Sequence, residues 1–86
     1  MICVELGFAG DPRRLAARAA HRQQLEELHQ REALLAAGPW SDDSGALLIF
    51  RLAEPAVRAE IASDPDYHTP GVKIISVHAW TPVTGP

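Results

Sequence analysis

The sequence predicts a single α+β domain in which a four-stranded antiparallel sheet carries two helices on one face, in the order β-α-β-β-α-β. Three observations lead there. The 86 residues suffice for one domain and not for two. Four short apolar runs are separated by two stretches rich in strong helix formers. Pro, Gly, Asp and Ser punctuate the chain between those runs, and neither an internal repeat nor a domain linker is visible.

Ile2 to Leu6 alternates, with Ile2, Val4 and Leu6 on one side and Cys3 and Glu5 on the other, as a strand requires. Gly7 to Gly10 reads as a loop. Asp11-Pro12 then starts a helix, since Asp accepts from free N–H groups and Pro suits the first helical position. The helix runs to about Arg31, with an apolar stripe through Ala17, Leu25 and Leu28 and His21 in its middle. Ala33 to Ala37, ended by Gly38-Pro39, reads as the second strand. Trp40 to Gly45 is turn chemistry, and Ala46 to Leu52 is a third strand, apolar on both faces up to Phe50. Glu54-Pro55 opens a second helix with Val57 and Ile61 as its buried pair; Pro65 stops it. Asp66 to Gly71 reads as a loop. Val72 to Trp80 is the last strand, with Ile75, Val77 and Ala79 on one side and Ile74, Ser76, His78 and Trp80 on the other, and residues 81–86 form a tail.

Right-handed crossovers put both helices on one face of the sheet, the ferredoxin-like arrangement. The opposite face then carries residues such as Leu47 or Leu48, Ile49 or Phe50, and Trp80. It is too apolar for water, and a sheet-to-sheet homodimer is expected. The 47% hydrophobic content, high for so small a chain, agrees.

Charge and composition exclude several classes. A net charge of −3 with eight Lys and Arg gives no footprint for nucleic acid. The basic run Arg13, Arg14, Arg18 and Arg22 reads as a solvated helix face, with a rim for an anionic ligand as the minority reading. Cys3 is the single cysteine, so neither an intrachain disulfide nor a multi-thiolate metal site is available, and it reads as a small buried hydrophobe. No apolar run reaches the roughly 18 residues of a membrane span, and no signal peptide is visible. The cytoplasm is the expected location. Phosphate loops, nucleophile elbows, dinucleotide fingerprints and paired zinc histidines are lacking, so neither cofactor nor metal is expected.

Several motifs together resemble the YCII-related family. They are Arg18-Ala-Ala-His21, then Leu34-Leu35-Ala36-Ala37-Gly38-Pro39, then Asp42-Asp43-Ser44-Gly45, Ser63-Asp64-Pro65, Pro70-Gly71-Val72 and Val77-His78-Ala79-Trp80. The resemblance spans roughly residues 2 to 82. It implies a dimeric α+β barrel with a His/Asp-centred site; one branch of that family resembles a dehydrochlorinase acting on a chlorinated hydroxyquinol. Two positions depart from the pattern. Glu32 stands where many members close the first helix with glycine, and Asp66 stands at the tyrosine of D-P-Y, with Tyr67 one place later.

His21 is the leading candidate for chemistry. An imidazole on the inner stripe of a helix, beside a carboxylate, can exchange protons in general acid/base work. The alternative is a core histidine satisfied by backbone groups. Asp64, at the end of the second helix, is the expected partner that would orient the ring; its alternative is a turn-former before proline. Arg18, Trp40, Asp43 and Tyr67 complete the expected substrate site. Asp43 also reads as an Asx-turn residue, Arg18 as a solvent-facing arginine, and Trp40 and Tyr67 as half-buried packing. The expected activity is a cofactor-independent elimination or isomerisation on a small cyclic or aromatic molecule. The alternative is a non-catalytic, dimeric small-ligand-binding or accessory module.

Overall fold

The computed structural model describes residues 1–85; Pro86, the end of the expected tail, lies outside them. The elements follow in the expected order: β1 (Ile2–Phe8), α1 (Pro12–Gln30), β2 (Leu34–Pro39), β3 (Gly45–Phe50), α2 (Glu54–Ser63), a short 3-10 helix (Pro65–His68) and β4 (Val72–Ala79). The sheet is antiparallel in the order β2-β3-β1-β4. This is the ferredoxin-like α+β fold.

The inward side of the β1 alternation (Ile2, Val4, Leu6) joins Leu34, Leu48 and Phe50 under the helices. Leu28 of α1 and Val57 of α2 close on them, with Leu25 and Ile61 partly buried alongside. Asp11 caps α1, accepting from the N–H of Arg13 at 2.9 Å, and Pro55 sits in the first turn of α2.

The strands run further than expected at two turns. β1 continues through Gly7 and Phe8, which pair with Gly45 and Val72. Gly38 and Pro39 stay in β2, opposite Leu47 and Ala46. Pro is tolerated there because β2 is an edge strand and need not donate on its outer side. β3 in turn stops at Phe50, since the chain must swing into α2 four residues later.

A register shift in the β1–β4 ladder corrects the expected facing of β4. Leu6 pairs with Ile74 and Val4 with Val77, so both partners pack on the core and Ile75 is the extra residue. Ile75 turns to the helix-free face, 54% exposed, with its side chain over Gly7. Cys3 is also on that face and only half-buried, not in the core. Burial still pushes its thiol up from the ordinary value, which keeps it a poor nucleophile.

The C-terminus of α1 closes without a glycine, as the Glu32 at this position requires. Glu32 itself takes the left-handed conformation, φ 61°, while the N–H of Ala33 donates to the Leu28 carbonyl at 2.9 Å and that of Glu32 to His29 at 3.0 Å. A side chain in that conformation costs about 1 kcal/mol, so Glu32→Gly is expected to stabilise the fold by about that much. Urea unfolding checks it; an unchanged or lower midpoint would contradict it.

Candidate functional site

A cavity of about 660 Å³ lies between α1 and the β2 side of the sheet, within the range of small-molecule sites, roughly 300–1,000 Å³. Its origin is local. Where α1 faces β2, the side chains are small: Ala17 from the helix and Ala36, Ala37 and Gly38 from the strand. They leave a gap that Leu6, Leu25, Leu34 and Leu48 wall with apolar surface.

His21 lines this cavity, as the stripe of α1 requires. The 3-10 helix brings Asp66 and Tyr67 to it. His21 Nδ1 lies 3.7 Å from Asp66 Oδ2, an ion-pair approach longer than a hydrogen bond. The Tyr67 ring meets the imidazole edge to face, with centroids 5.4 Å apart. His21 Nδ1 is buried and has no hydrogen-bond partner among the described residues.

Asp64 does two things. Its Oδ1 accepts from the N–H of Asp66 at 2.9 Å and starts the 3-10 helix, as a turn-former before proline does. Its Oδ2 is buried and unpartnered, and atoms of His21, Asp64 and Asp66 all come within 4.8 Å of one another. Asp64 therefore stands in the cluster, but Asp66 makes the ion-pair approach to the imidazole. The inserted carboxylate of D-P-D-Y is the feature the sequence expectation did not place in the site. One imidazole and two carboxylates are also a donor set that suits a divalent cation.

Burial, then the neighbouring Asp64 charge, raises Asp66 above the ordinary carboxylate value of 3.8, against the pull of His21. Burial, followed by Asp64, Glu60 and Asp66, raises the Tyr67 phenol far above its ordinary range. Tyr67 is therefore a fixed O–H donor and not a base. Because the folded value of Asp66 exceeds its unfolded value, stability falls as pH rises through that window and stays lower above it. Asp66→Asn is thus expected to raise Tm at about pH 7 and to leave it unchanged near pH 3, where both side chains are neutral. Calorimetry at the two pH values checks this; a lower Tm for the variant at neutral pH would contradict it.

At the other end of the cavity, Asp43 Oδ2 accepts from both Arg14 (2.9 Å) and Arg18 (3.0 Å). The Arg14 contact, and then the charge of both guanidinium groups, holds Asp43 below the ordinary carboxylate value. The hairpin's Asx contact comes from Asp42, which accepts from the N–H of Ser44 at 3.0 Å. Asp43 takes a left-handed conformation, φ 58°, and its carboxylate is free to reach α1. Asp43 is therefore not the Asx residue of the turn. Arg14 departs from the solvated-face reading as well: its side chain is 11% exposed, and its guanidinium stacks on Phe8 at 4.3 Å. The only signal for it in the sequence is its spacing, four and seven residues before Arg18 and His21.

Trp40 does not line the cavity. It is 42% exposed, and its ring edge lies over Gly45. The other histidines do not converge. His29 Nδ1 lies 3.0 Å from the Leu34 carbonyl, His68 Nε2 lies 3.0 Å from that of Ile61, and His78 sits opposite Cys3 on the helix-free face. No helix among the described residues is long and apolar enough to cross a membrane. No protein-family model matches the chain, and no curated protein gives a significant match.

Proposed function

We propose that the chain is a cofactor-independent enzyme that uses His21 as a general acid/base on a small cyclic or aromatic molecule held in the α1–β2 cavity. The observation that carries this reading is the cluster at the cavity wall: an imidazole with the carboxylate of Asp66 and a protonated phenol beside it, and the buried carboxylate of Asp64, which does not line the cavity, close to both acid and imidazole. In this reading His21 takes a proton from substrate carbon, and Asp66, backed by Asp64, stabilises the imidazolium that forms. Tyr67 donates to an oxygen on which negative charge develops. His21 then returns the proton to another atom, giving isomerisation, or to a departing group, giving elimination.

The resemblance to YCII-related proteins supports the same pairing of His21 with a D-P carboxylate, with Asp66 now sharing the role. It also supports a cytoplasmic homodimer. The helix-free face carries Leu47, Ile49 and the exposed Ile75 and Trp80, and a second copy would cover them. Sedimentation at micromolar concentration should give twice the 9.3 kDa chain mass; a monomer would contradict the dimer and leave the cavity reading intact.

A ligand-observed NMR screen of small aromatic and cyclic compounds tests the function. Binders are expected to shift the ring signals of His21 and Tyr67 and to be converted by the wild-type protein. Binders that shift only the helix-free face, or that bind at His21 and are never converted, would contradict the enzymatic reading.

A further inference from the structure

Two guanidinium groups share one carboxylate oxygen at the far end of the cavity, and that asymmetry bears on what the cavity accepts. Arg14 and Arg18 both donate to Asp43 Oδ2, so these three side chains carry a net positive charge, while Arg22 and Glu26, further along α1, line the same cavity with opposite charges. Arg14 is held by its stack on Phe8, and its Nε is buried without a hydrogen-bond partner among the described residues. A buried guanidinium N–H with no acceptor is costly unless a ligand supplies one. The rest of the wall between this end and His21 is apolar, chiefly Ala17, Leu6 and Leu48.

We infer that the cavity takes a small anionic substrate, an aromatic or cyclic carboxylate, whose charged group binds at Arg14 and Arg18 and whose reacting carbon lies at His21. Asp43 is the internal counter-ion. It keeps the two arginines in place when the site is empty of substrate, and it shares or yields them when an anion arrives. The spacing sets the substrate's length. Seven residues of helix separate Arg14 from His21, roughly 10 Å along the axis, and the three from Arg18 cover about 4.5 Å. A carboxylate on a six-membered ring, directly or through one or two carbons, spans that interval. An anion also suits the proposed chemistry, because fixing one end of a small molecule in the arginine pair orients its C–H bond toward the imidazole. This inference rests on the cavity being the substrate site and names the class of molecule that enters it.

Binding of three probe carboxylates, benzoate, phenylacetate and cinnamate, against their neutral amides tests it, measured by chemical-shift titration on the folded protein. At least one carboxylate should bind at least tenfold more tightly than its amide. Arg18→Met and Arg14→Met should each remove most of that preference, Arg18→Met serving alone if loss of the Phe8 stack unfolds the other. Asp43→Asn should tighten carboxylate binding several-fold, since the competing internal charge is gone, and should leave amide binding unchanged. His21→Ala should preserve the preference even where it abolishes turnover, which separates this inference from the acid/base reading. Equal binding of acid and amide, weaker carboxylate binding in Asp43→Asn, or no binding of any of the three at millimolar concentration would overturn it.

Discussion

His21→Ala is expected to lower turnover of any converted ligand by roughly 10²–10⁴-fold while the protein stays folded. The size follows from what the substitution removes. Among the described cavity-lining residues, His21 is the imidazole not tied to a backbone carbonyl; His29, the other, is held to Leu34. Imidazole is the side chain that exchanges protons most readily near neutrality, so no neighbour replaces it. Tyr67 keeps its proton, and Asp66, although burial raises it, is a carboxylate, a class ordinarily less basic than imidazole. The carboxylates should matter less. Asp66→Asn or Asp64→Asn leaves the imidazole and removes part of the charge that stabilises its protonated form, so kcat should fall more than KM changes. Full activity in His21→Ala, with circular dichroism confirming the fold, would contradict the assignment.

The largest loss of stability is expected from Phe50→Ala. Phe50 is completely buried at the meeting point of the layers, paired with Ile2 of β1 and Leu34 of β2 and sharing the core with Val57 of α2. Truncating a phenylalanine in such a place costs about 3–5 kcal/mol, because the surrounding side chains only partly collapse into the space. A domain this small has little more than that in total, since net stabilities run from about 5 kcal/mol upward and small chains sit at the low end. A drop in Tm of some 15–30 °C, or failure to fold at room temperature, is expected. The neighbouring Ile49→Ala faces the helix-free side and is only half-buried in one chain. It should cost far less within a monomer and show itself instead in weaker self-association. If Phe50→Ala melted within a few degrees of wild type, the packing described for the core would be wrong.

The fold was readable because its punctuation is local. Asp11-Pro12, Glu54-Pro55 and Ser63-Asp64-Pro65 set helix boundaries through caps and missing N–H groups, and the β1 alternation places its inner face without reference to any partner. The bulge at Ile75 was not readable, because a register shift depends on which residue of β1 lies opposite. The persistence of β2 through Gly38-Pro39 likewise depends on its being an edge strand, which only the assembled sheet decides.

The site divides the same way. His21 stands out because a single polar group interrupts a helical stripe, and Tyr67 follows from the D-P-D-Y segment. The closeness of Asp66 to the imidazole depends on a 3-10 turn that Asp64 starts, so the sequence points to Asp64 alone. Arg14 looks like any helix arginine until Phe8 and the hairpin carboxylate of Asp43 are brought against it from two other elements. Trp40, attractive as an aromatic beside an acidic turn, packs on Gly45 because β2 and β3 carry it past the cavity.

Hydrogen–deuterium exchange at substrate carbon is the most direct test of the central claim. A ligand from the screen that binds at His21 is incubated with the protein in D₂O, and its C–H signals are followed by proton NMR. Wild type should replace the C–H beside the imidazole by C–D faster than solvent does, and His21→Ala, binding the same ligand, should not. Exchange that continues unchanged in His21→Ala, or no catalysed exchange in any ligand bound at His21, would contradict the account.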